Sequence, residues 1–175
     1  MMRTLIVILT FLHFNSADAQ EIPAGWEITD SKYISIAHPS NYKITQYGET
    51  KIVMNGFEPV ESDADKFKEN FGIIIKELND GMSLEAFAEE TKKELESANK
   101  NAPKIVFFEK ISTPAGPAYQ IEYRMEMNGF SFYHYLRLFV KNNKGYSIIY
   151  TAENQRRTYH QELINTMFNS VNIKD

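Results

Sequence analysis

The side chains able to do acid–base or ligand chemistry fall into three sets. The histidines beyond the first twenty residues come first: His38 stands just before Pro39, His134 alternates with Phe132 and Leu136, and His160 opens the last helical stretch. They share no spacing that would set them on one metal. An imidazole in step with Phe and Leu along a strand reads as a core histidine with one hydrogen-bond partner rather than as a base. The second set is acidic: Glu58, Glu61, Asp63, Asp65 and Glu69. Such carboxylates are the hard oxygen donors that Ca²⁺ takes, but no glycine stands at the sixth position from Asp63 and the closing glutamate arrives too early for a calcium loop. The stretch therefore reads as a solvated loop, and no metal ligand is assigned. The third set is Tyr133, Tyr135 and Arg137 on one strand with Glu122 and Arg124 on its hairpin partner. Tyr and Arg are enriched at interfaces, so these five residues form a candidate partner surface. The competing arrangement is a helix laid over the same face, with the tyrosine hydroxyls pointing outward.

The familiar catalytic patterns are missing from the sequence. There is no Gly-x-Ser-x-Gly, no dinucleotide or phosphate-binding glycine motif and no His-Glu-x-x-His. Ser-x-x-Lys occurs at Ser40 to Lys43 and again at Ser97 to Lys100, but without Ser-Asp-Asn or Lys-Thr-Gly partners it is a chance pattern. No catalytic or cofactor-binding residue is assigned, and no cofactor is expected. Two functional classes follow: an exported cell-envelope accessory or binding module, or an envelope hydrolase or other enzyme with an unfamiliar site. The first accords better with a sequence that carries none of the familiar catalytic patterns. The partner is then an unknown envelope protein or small ligand.

Composition narrows the field. The chain has 175 residues, 43% hydrophobic and 24% charged, which suits one ordinary domain able to bury its own core. A net charge of −4 argues against a nucleic-acid binder, which needs cations to displace phosphate counterions. Residues 1–19 read as a signal peptide: Arg3, the apolar run Thr4 to Phe14, and Ala17-Asp18-Ala19 as a cleavage pattern. The mature domain is expected to begin at Gln20 and to be periplasmic or extracellular. With no cysteine there is no lipid attachment and no disulfide, so no membrane anchor is expected and stability must come from packing.

The elements that position these side chains follow from periodicity. Trp26 to Ile28, Lys32 to His38, Tyr42 to Tyr47 and Lys51 to Phe57 read as strands. Phe71 to Leu78, with Ile73-Ile74-Ile75 unbroken, reads as a strand covered on both faces. Ser83 caps a helix whose apolar stripe is Leu84, Phe87, Ala88, Thr91, Leu95 and Ala98. Strands follow at Lys104 to Ile111, Pro117 to Met127, Phe130 to Val140 and Tyr146 to Ala152. A closing helix runs from about Thr158 to Asn169, burying Tyr159, Leu163, Met167 and Val171. Asn128-Gly129 is the favoured pair for a two-residue type I′ turn. That turn predicts the register: Met127 opposite Phe130, Met125 opposite Phe132, Tyr123 opposite His134, Ile121 opposite Leu136 and Tyr119 opposite Leu138. A one-residue slip would carry Glu122, Arg124 and Glu126 into the core. Hairpins segregated from helices mean α+β.

Four segments together resemble the PsbP-like/DcrB-like fold family. They are Tyr33-Ile34-Ser35-Ile36-Ala37-His38-Pro39, the stretch Phe57-Glu58-Pro59 with Asp65 to Ile75, Gly116 to Tyr123, and Tyr146 to Ala152 with the helix into Phe168-Asn169-Ser170-Val171. The resemblance covers nearly all of the mature chain. It implies an antiparallel β-sheet sandwiched between helices. Tyr42 stands near where the family commonly has Trp, and the lipoprotein cysteine of many bacterial members is absent. The family spans photosystem accessory subunits, envelope lipoproteins and a nuclear-transport factor relative, so the resemblance carries no catalytic residue to this chain.

Overall fold

The computed structural model describes residues 22–48, 51–60, 67–97 and 103–174. The expected leader, the Gln20 start and Glu61, Asp63 and Asp65 lie outside them. In chain order the elements are β1 (Trp26–Asp30), β2 (Ile34–Pro39), β3 (Lys43–Gln46), β4 (Ile52–Phe57), β5 (Asn70–Glu77), α1 (Leu84–Ser97), β6 (Lys104–Thr113), β7 (Gly116–Met127), β8 (Phe130–Lys141), β9 (Lys144–Glu153), α2 (Gln161–Asn169) and β10 (Asn172–Ile173). Seven strands form one antiparallel sheet in the order β3-β4-β5-β9-β8-β7-β6, and β1, β2 and β10 form a second, small one.

The β7–β8 register is the predicted one, from Tyr119 opposite Leu138 to Met127 opposite Phe130. Asn128 and Gly129 both have positive φ, at 53° and 82°, as a type I′ turn requires. Asn142 and Asn143 repeat the device between β8 and β9, at 51° and 56°. Asparagine tolerates this region because its short amide bonds locally. Two tight turns in succession lock β7, β8 and β9 into one meander.

The meander has two buried faces. On one, Phe87 and Ala88 of α1 pack on Ile121, Tyr123, Leu136 and Leu138. Gly145 of β9 admits the helix closely there, since a Cβ at that position would stand 2.6 Å from the Phe87 ring. Ser83 caps α1 as expected, its Oγ accepting from the Ala86 N–H at 3.1 Å. On the other face, Ile164, Met167 and Phe168 of α2 join Tyr133, Tyr135, Ile148 and Tyr150, with Ile34 and Ile36 from the small sheet. The large sheet is therefore sandwiched between helices, as an α+β fold of this kind requires.

Four expectations need correction. The closing helix starts at Gln161, because Asn154–Arg156 takes up a tight 3₁₀ turn first. Tyr159, before the helix, is 74% exposed; the expected Met167 and Val171 are buried, Leu163 packs against the core, and Ile164 and Phe168 widen the buried stripe. Ile74 is 38% exposed, so β5 is not covered on both faces; α1 lies over β7 and β8 and leaves this part of the sheet partly open. The strands divide between two sheets, and β10 pairs with β2 without any periodicity to announce it.

Candidate functional site

The candidate partner residues are brought together but not presented. Tyr133, Tyr135, Arg137 and Glu122 are all buried, and Arg124 is the exposed member. Helix α2 and the turn before it cover the face, as in the competing arrangement read from the sequence. The tyrosine hydroxyls turn to protein partners instead of solvent. Tyr133 donates to Glu122 Oε2 at 2.6 Å, Tyr135 donates to Gln161 Oε1 at 2.9 Å, and Gln120 donates to Glu122 Oε1 at 2.6 Å. The Arg137 guanidinium lies over the Phe168 ring and donates to Asn169 and Gln120 at 2.9 and 3.2 Å. Burial lowers its pKa to about 10, so it stays charged at neutral pH. These bonds offset part of the cost of burying the charges beneath a helix, although Arg137 Nε has no hydrogen-bond partner among the described residues.

His134 behaves as the core histidine expected. Its ring stacks on Tyr123 with centroids 4.5 Å apart, and Nδ1 lies 3.0 Å from Thr151 Oγ1. Burial pushes its pKa down to about 4, which leaves it neutral and unsuited to act as a base near neutrality. His38 is likewise fully buried, with Nε2 2.7 Å from Thr29 Oγ1 and Nδ1 2.9 Å from the Pro39 carbonyl.

His160 sits differently. Strand pairing of β4 with β5 runs to Phe57 opposite Asn70, and one rung further the Glu58 N–H donates to the Glu69 carbonyl at 2.9 Å. Two glutamates therefore oppose each other, an arrangement that like-charge repulsion disfavours. Glu69 is 1% exposed, so the ends of this acidic stretch do not lie in a solvated loop as the sequence suggested. The 3₁₀ turn and the start of α2 bring cations and donors to the pair. Arg156 donates to Glu69 Oε2 at 2.9 Å, and His160 Nε2 lies 3.9 Å from Glu58 Oε2 and 3.9 Å from Glu69 Oε1. On the far side of the ring, His160 Nδ1 is 3.3 Å from the Tyr150 hydroxyl, itself 3.1 Å from that of Tyr42. Burial first, and then the two carboxylates among other neighbours, hold both phenols well above their ordinary range, so they remain protonated.

The cluster opens onto the surface at its edges. One groove of about 390 Å³ is lined by Trp26, Glu58, Tyr159, His160 and Leu163. Another of about 520 Å³ is lined by Lys43, Thr45, Phe57, Glu58, Pro59 and Lys68. Glu58 is common to both. The sequence offered Glu58 and Glu69 only as calcium donors, and it gave no sign that His160 would join them. The one available hint was the acidic residue just after β4 and just before β5, which a known register would have paired.

Against proteins of known structure the match is to fold. The solution structure of cyanobacterial PsbP (CyanoP) from Synechocystis sp. PCC 6803 superposes with a TM-score of 0.68 at 14% identity, covering 87% of this chain and 94% of that one. LpqN, described as involved in cell envelope biogenesis of Mycobacterium tuberculosis, gives 0.61 at 10% identity, over 86% and 91% of the two chains. PA94, a putative regulator of unknown function from Pseudomonas aeruginosa, gives 0.52 at 13% identity, over 80% and 91%. No family model and no curated protein matches. The chain has the PsbP-like fold. Among the described residues no helix is long and apolar enough to cross a membrane.

Proposed function

We propose that this PsbP-fold chain is an exported accessory or binding module of the cell envelope, one that docks a partner protein rather than transforming a substrate. The reading is carried by the apolar rim of the two grooves that meet at Glu58. Phe57 lines one groove and is 37% exposed, Val60, next in the chain to Pro59 of that groove, is 47% exposed, and Tyr159 is 74% exposed at the other. Aromatic and aliphatic side chains left in water around a shared acidic residue are the composition of an interface centre, where each anchor contributes on being desolvated. The signal-peptide pattern at residues 1–19 and the envelope role described for the structural neighbour LpqN support the compartment. Tyr133, Tyr135 and Arg137 act as internal scaffolding in this reading, and the docking surface lies at the other edge of α2.

Capture from envelope extracts tests it. The wild-type chain should retain a partner that Phe57→Ser and Tyr159→Ala each release, while both variants keep the wild-type melting temperature to within a few degrees. Equal recovery by wild type and variants would remove this surface from consideration. Mass spectrometry of the exported protein should find Gln20 as its first residue, and a retained Met1 would overturn the export reading.

A further inference from the structure

We propose that Glu58, Glu69 and His160 form a binding site for a divalent transition-metal ion of the zinc class. Among the described residues they are the one set of histidine and carboxylate donors whose ligand atoms converge, all within 4.8 Å of one another. The inference goes beyond partner docking and does not depend on it.

The simpler alternative is a protonated His160 that pairs with two carboxylates at long range, and titration with Zn²⁺ distinguishes it from a metal site. At 3.9 Å to each oxygen, Nε2 is outside hydrogen-bond reach of both. A shared ion needs more room. Ligand atoms held about 2.0–2.2 Å from zinc stand roughly 3.3 Å apart at tetrahedral corners, so the two 3.9 Å separations would have to close by about 0.6 Å and the carboxylate oxygens, within 4.8 Å of each other, by up to about 1.5 Å. Rotation of the Glu58 side chain, at the mouth of both grooves, can supply part of it.

The surroundings fit the same assignment. A ligating imidazole is normally oriented through its second nitrogen, and here the Tyr150 hydroxyl lies against Nδ1 and leaves Nε2 facing the carboxylates. Arg156 holds the other oxygen of Glu69, which fixes Oε1 on the side of the cluster. Two glutamates on adjacent strands repel each other; Arg156 offsets part of that at Glu69, and a dication between the carboxylates would offset more. The donor set chooses the metal: one imidazole and two carboxylates suit zinc and its neighbours, whereas Ca²⁺ takes oxygen ligands alone.

The test uses the full exported chain, stripped of metal with a chelator. Calorimetric titration with Zn²⁺ should give one site per chain, and zinc in large excess over its Kd should raise the melting temperature by several degrees. Glu58→Gln and His160→Gln should each weaken binding at least tenfold. Because His160 is buried, its variant can fail for structural reasons, so the unaltered protein carries a second readout. Co²⁺ should broaden the NMR signals of His160 and Tyr150 before those of His38 and His134. No zinc binding, full-strength binding by the Glu58→Gln chain, or broadening centred on another histidine would each overturn the assignment.

Discussion

Acid should destabilise this protein in a way traceable to one imidazole. His134 is 6% exposed and lies against Tyr123, and its Nε2 is buried with no hydrogen-bond partner among the described residues. A protonated ring donates from both nitrogens with no acceptor for Nε2 among the described residues, and burial of its charge lowers the pKa from 6.5 to about 4. The folded pKa lies below the unfolded one, so the unfolded chain takes up the proton first. Stability is therefore untouched above the unfolded value of 6.5, falls as pH drops, and levels off below about 4. At about 1.4 kcal/mol per pH unit the whole gap is worth about 3 kcal/mol, of which roughly 2 kcal/mol develops between about pH 7 and about pH 4.5. In a domain of this size that lowers the melting temperature by roughly 5 °C. Urea unfolding of wild type and His134→Asn across this range isolates the effect. Asparagine can still reach Thr151 but has no proton to gain, so the stability difference between the two chains should shrink by about 2 kcal/mol on acidification. A difference that stays constant, or an NMR titration of His134 with a midpoint near its ordinary value, would refute the reasoning.

Gly145→Ala should cost about 1–3 kcal/mol in urea unfolding, because its Cβ meets the Phe87 ring and must displace that ring or the helix that carries it. Gly129→Ala, in open space but at φ +82°, should cost about 1 kcal/mol and leave the β7–β8 register intact by NMR. Tyr135→Ala and Arg137→Ala should each lower stability by about 2–5 kcal/mol, since both cavities open under α2. Neither should change partner capture beyond what unfolding explains. Added Ca²⁺ at sub-millimolar concentration should leave the melting temperature unchanged, and a shift of several degrees would show that the carboxylates bind calcium in the folded state.

Local chemistry was enough to specify the hairpins and their faces. Asn128-Gly129 imposes a two-residue turn, a two-residue turn imposes register, and register sends Glu122 and Arg124 to the face opposite Ile121 and Tyr123. Ser83 and the Leu84-Phe87-Ala88 spacing likewise place α1, because capping and periodicity act within a turn or two. The sequence by itself determined an α+β chain, the β7–β8 pairing and a core role for His134. What covers the far face of β8 is different in kind. For Tyr133, Tyr135 and Arg137 the sequence left both a partner surface and a helix-covered face open, the second favoured, and only the docking of α2 buries them. The candidate metal site was out of reach for the same reason. Glu58 and Glu69 meet because β4 pairs with β5, and His160 reaches them because α2 packs back across the sheet. Contacts between residues distant in the chain depend on the packing of whole elements, which no local propensity encodes. Tertiary structure alone decided that the acidic stretch ends on a buried histidine.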